Sequence, residues 1–111
     1  MKRIHYASGS LVTGDRIADV LLRYAAVLAK RGVAAEVSAP VISDDGSRGS
    51  AILLLGPASQ ILAEDTPGES ELEDPEFIAE TERSIAALGL PRAGFVKRGS
   101  EETEAIDLDY L

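Results

Sequence analysis

The side chains able to do chemistry gather near the start of the chain, where the single histidine, His5, precedes Ser8, Ser10 and Thr13 by three, five and eight positions. An imidazole beside a hydroxyl is the heart of a nucleophilic site once a carboxylate orients the base. The same hydroxyls, with free backbone N–H groups, could instead hold a small polar ligand. Gly9 and Gly14 bracket this stretch at the glycine spacing of a phosphate loop. The lysine and hydroxyl that such a loop requires are replaced by Asp15-Arg16. A carboxylate in the first helical turn also repels the phosphate that a helix terminus attracts, so a nucleoside-triphosphate site is not expected. No Gly-x-Ser-x-Gly elbow is present, and His5 reads by default as an ordinary strand residue.

One imidazole and no cysteine leave nothing for a transition-metal site, a thiolate nucleophile or a disulfide framework. The acidic residues lack the aspartate spacing and central glycine of a calcium loop. They stand in runs that read as solvated surface rather than as acid–base pairs. No catalytic residue, metal or cofactor is expected.

The net charge of −8 is unevenly placed. Residues 1–48 hold seven basic and five acidic side chains, whereas residues 49–111 hold four basic and fourteen acidic ones. Such a field repels a phosphate backbone, which disfavours nucleic acid as a partner. Glu64, Asp65, Glu69, Glu71 and Glu73 form an acidic surface whose plain role is solubility and whose sharper role is docking a basic protein. The opening Met1-Lys2-Arg3 is not followed by an apolar region fit for a signal peptide, and no segment reaches membrane-spanning length. A cytoplasmic protein without membrane contact is expected.

The elements that position these residues centre on Ala51-Ile52-Leu53-Leu54-Leu55, an apolar run without alternation, which predicts a strand covered on both faces. Arg3 to Ala7 predicts a first strand, and Leu11-Val12 an apolar staple before Thr13 as the cap of a helix reaching about Arg31 and stopping at Gly32. Ile17, Val20, Leu21, Tyr24 and Leu28 form one apolar face of that helix. Ala18, Leu22, Ala25, Ala26 and Ala29 form a second, small-residue stripe suited to the sheet's neighbour, a second helix or a copy of itself. Ala35 to Ile42 alternates as a second strand that Pro40 confines to an edge or a bulge. Asp44-Asp45-Gly46 turns the chain into the third strand, from Arg48 or Gly49 to Leu55. Gln60 to Ala63 is a short strand or a helical turn. An acidic loop over residues 64–74 leads to Asp74-Pro75, a cap and first turn for a second helix whose apolar side is Phe77, Ile78, Thr81, Ile85 and Leu88.

The expected architecture is a single α+β domain over residues 1–92, a β-α-β-β-(β)-α sheet with strand order 1-3-2 and strand 3 in the centre. Residues 93–111 read as a mobile acidic tail. The stretches His5 to Ser10, Val12 to Asp19 and Leu55 to Gln60 resemble those of short acidic proteins of actinobacterial type that have no assigned activity. That resemblance spans the first two-thirds of the chain and implies a bacterial origin without a mechanism.

The apolar excess on the first helix and third strand predicts a non-enzymatic interaction module that self-associates, with a homodimer as the expected assembly. Two alternatives come from other classes. One is a small polar-ligand binder or enzyme built on His5, Ser8, Ser10 and Thr13. The other is an acidic decoy that occupies a basic protein.

Overall fold

A computed structural model describes residues 1–7, 9–68 and 71–89. The fold is α+β: five strands, β1 (Lys2–Tyr6), β2 (Gly9–Thr13), β3 (Ala35–Ile42), β4 (Arg48–Leu55) and β5 (Ile61–Asp65), and two helices, α1 (Asp15–Arg31) and α2 (Pro75–Gly89). The strands form one antiparallel sheet in the order β4-β3-β2-β1-β5.

Three expectations fall here, and they share a cause. Leu11-Val12 is not a staple but part of β2, which pairs with β1 from Lys2↔Thr13 to Tyr6↔Gly9. That extra strand fills the place beside β1, so α1 joins two antiparallel neighbours rather than a parallel pair with a gap between them. The run Arg48–Leu55 therefore lies at the sheet edge, not at its centre, and the order 1-3-2 is corrected to the order above. Thr13 is likewise not the cap of α1. Gly14 holds that position with no side-chain cap.

Where the chain turns, local chemistry decides. Gly32 ends α1 in the left-handed region at φ 68°, and its N–H and that of Val33 donate to the carbonyls of Ala29 and Leu28. The Asp44-Asp45-Gly46 turn is closed by the Ser43 N–H donating to the Ser47 carbonyl at 2.8 Å, with Gly46 at φ 87°. Asp74 caps α2 by accepting the Phe77 N–H at 3.0 Å. Gln60 to Ala63 resolves as strand, since β5 pairs with β1 along its full length.

The core lies between the sheet and α1. Ile4, Val37, Ala39, Leu53 and Leu55 from the strands meet Ile17, Ala18, Val20, Leu21 and Leu28 of α1, and Leu72 and Ile78 close the cluster. Helix α2 packs along α1, and Arg23 pairs with Glu82 between them at 3.0 Å. The first helix thus contacts both the sheet and a second helix, as its two faces predict. Among the described residues no helix is long and apolar enough to cross a membrane.

Pro40 marks an interruption. Strand β3 touches β2 at a single register pair, Val12↔Ile42, and Pro40 follows on the β2 side, where no ladder bond is needed. The Pro40 carbonyl is satisfied by Thr13, whose hydroxyl donates to it at 2.7 Å in a fully buried position. The edge-like character expected of this strand thus appears on one flank of an inner strand.

Candidate functional site

Strand pairing sets His5 in a row across the outer face of the sheet. Its register partners are Ser10 on β2 and Leu62 on β5, and its Nε2 lies 2.6 Å from a Glu64 carboxylate oxygen. Serine, histidine and a carboxylate therefore stand side by side, with Glu64 supplied by a segment expected to be a loop. The row is open to solvent. Ser10 Oγ accepts from Arg3 Nη1 at 3.4 Å, and the histidine and glutamate side chains are 41% and 55% exposed. Water reaches every member, and an acyl-transfer site needs a dry pocket with oriented donors.

Thr13 belongs elsewhere. It faces the interior with its hydroxyl committed to Pro40, on the opposite side of the sheet from Ser10. His5 and Ser10 are thus brought together and Thr13 is not, while Ser8 lies outside the described residues.

The acidic set is largely occupied within the chain. Besides Glu64, the Asp65 carboxylate binds Lys2 Nζ, which holds Asp65 below its ordinary carboxylate value and raises Lys2 above its own. Glu71 accepts the Asp15 N–H at the start of α1 and the Met1 ammonium at 3.1 Å. The ammonium also meets Asp15 at 3.0 Å, and these two carboxylates raise its pKa. Glu71 is the acceptor that Thr13 was expected to be, reached across 56 residues of sequence. Glu73 is exposed, and Glu69 lies outside the described residues.

A feature with no signal in the sequence lies at the end of β4. The ladder bonds of the β3–β4 hairpin alternate from its closed turn through Val41↔Gly49, Ala39↔Ala51, Val37↔Leu53 and Ala35↔Leu55. Arg48, Ser50, Ile52 and Leu54 therefore turn their main-chain groups outward. At Leu54 these groups are taken. Its N–H donates to the Tyr6 hydroxyl at 3.1 Å, and its carbonyl accepts from Tyr6 and, at 3.3 Å, from Ser59 Oγ. Ser59 is positioned by the turn after β4, where its Oγ accepts the Gly56 N–H at 3.0 Å. Tyr6 and Ser59 plug one end of the edge.

Beside the plug lies an open groove of about 680 Å³ lined by His5, Tyr6, Leu54, Pro57, Gln60 and Leu62, among others. Its rim is apolar. Ile52, Leu54 and Leu62 are 69%, 61% and 60% exposed, while Leu53 and Leu55 are at 4% and 0%. One row of the apolar run is buried as expected, and the other is bare.

Among the described residues no three histidine, aspartate or glutamate side chains group as metal ligands. No protein-family model, curated protein or solved structure matches this chain.

Proposed function

We propose that this protein is a non-enzymatic interaction module that self-associates through the outer side of β4. The observation that carries the proposal is the pair of bare apolar side chains on that strand, Ile52 and Leu54. Evenly scattered leucines on a surface need no account, but here Ile52 and Leu54 stand bare on one face of an edge strand, and Leu54 shares a groove with Leu62. Burial of each would stabilise a complex by about 1.5–3 kcal/mol. The acidic-decoy alternative has less support, because Glu64, Asp65 and Glu71 already hold partners within the chain.

Sedimentation velocity from micromolar to submillimolar concentration tests the proposal. The wild type should move from the 11.7 kDa monomer towards a dimer, and Ile52→Asp should remain monomeric with an unchanged circular dichroism spectrum. A wild type that stays monomeric throughout refutes it. The groove supports a second reading, a small ligand held beside His5 and Tyr6. Thermal stabilisation by a metabolite, abolished by Leu54→Asp, would favour that reading.

A further inference from the structure

The outward main-chain groups of β4 are closed at Leu54 and open before it. Among the described residues, those of Arg48, Ser50 and Ile52 meet no hydrogen-bond partner. Sheet edges are normally guarded by charge, proline or a bulge along their length. Here one end carries a plug and the rest carries only Arg48, whose guanidinium is turned to Asp74 at 2.7 Å.

We infer that two copies of this chain join by antiparallel pairing of β4 with β4, with Ser50 facing its own copy. This mode rests on the self-association proposed above and specifies how it is achieved. Outward residues pair only with outward residues, and Leu54 is excluded by Tyr6 and Ser59. Pairing about Ser50 is the arrangement that uses all three open positions. Arg48 then faces Ile52 of the partner subunit, and Ile52 faces the partner's Arg48. Two five-stranded sheets become one continuous sheet, as in other strand additions.

Charge selects a second copy over a basic partner. From Gly49 through Ala63 the chain carries no charged side chain, in a protein of net charge −8. A basic surface would find no carboxylate on the strand itself, only Asp74, Glu76 and Glu80 beside its Arg48 end, where Asp74 already pairs with Arg48, whereas two copies meet along a strand uncharged beyond Arg48. The two Arg48 side chains sit four residues apart along the pair, about 13 Å, farther than the screening length of roughly 8 Å at physiological salt.

The test uses the full chain, which has no native cysteine. Ser50→Pro removes an outward N–H that the β3 ladder does not use. It should leave the circular dichroism spectrum and melting temperature close to wild type, and weaken dimerisation at least about tenfold. Ser50→Cys places two thiols on opposed residues about 5.5 Å apart at Cα, within the range a disulfide spans. It should cross-link readily under mild oxidation, while Ile52→Cys, displaced from its own copy, cross-links slowly. A dimeric wild type whose Ser50→Pro variant still dimerises and whose Ser50→Cys variant does not cross-link overturns the pairing and leaves self-association standing. A wild type that is monomeric at every concentration removes both. Should Ser50→Pro fail to fold, the cysteine pair decides alone.

Discussion

Replacing Thr13 by valine isolates the bond that bridges the gap between β2 and β3. The side chain is fully buried and its hydroxyl donates to the Pro40 carbonyl at 2.7 Å. Valine keeps the shape and leaves that carbonyl buried without its donor, at a cost of about 1–3 kcal/mol. The methyl that replaces the hydroxyl returns about 0.8 kcal/mol of apolar burial. The net loss should be about 1 kcal/mol, or roughly 4–8 °C in melting temperature for a domain of this size. Urea denaturation followed by far-ultraviolet circular dichroism at fixed protein concentration should show a lower midpoint with an unchanged slope. Thr13→Ser keeps the donor and loses a methyl, so it should also fall below wild type. If packing alone mattered, valine would match or exceed threonine. A valine variant as stable as wild type therefore refutes the account of Thr13 as the bridge to Pro40.

Two further outcomes follow from contacts at the start of the chain. Gly14 has φ −71° and ψ 157°, which any residue adopts, so alanine there would ordinarily stabilise by reducing unfolded-state entropy. A Cβ on Gly14 would collide with the Leu72 carbonyl, and Gly14→Ala should instead destabilise by about 3 kcal/mol in the same urea titration, while Gly9→Ala, with open space around it, should stay within about 0.5 kcal/mol of wild type. The Lys2–Asp65 pair predicts a pH profile: Asp65 is held low, so its contribution is complete above the ordinary carboxylate value of 3.8 and is lost as pH falls through its folded value. Lys2 is held high, so its contribution is complete below 10.5 and is lost as pH rises through its own folded value. Asp65→Asn should flatten both limbs in melting temperature measured against pH, and a profile unchanged by that substitution would remove the pair from the account.

Much of the fold is legible along the chain because it is made by neighbours in sequence. Gly32 stops α1, Asp44-Asp45-Gly46 makes the hairpin turn and Asp74-Pro75 opens α2, since each needs only its own backbone angles and a side chain a few residues away. The alternation of β3 likewise reads directly, with Val37, Ala39 and Val41 inward. Strand β2 is not legible. Its hairpin with β1 leaves two residues between Tyr6 and Gly9, and Ala7 takes φ 55° without the asparagine or glycine that usually announces such a turn.

What local chemistry leaves open is where an element stands in the sheet and which distant group it meets. An unbroken apolar run such as Ala51 to Leu55 satisfies either a central strand with cover on both faces or an edge strand with one row bare. The choice falls to β2, which occupies the place beside β1 and sends β4 to the border. The same holds for the site. Glu64 reaches His5, Glu71 reaches the start of α1 and Tyr6 seals Leu54, across 59, 56 and 48 residues. Residue type says that a carboxylate or a phenol can accept or donate a hydrogen bond, but the partner is chosen by how strands stack. That stacking minimises the exposed apolar surface and the unpaired backbone of the chain as a unit, a quantity that no single segment contains.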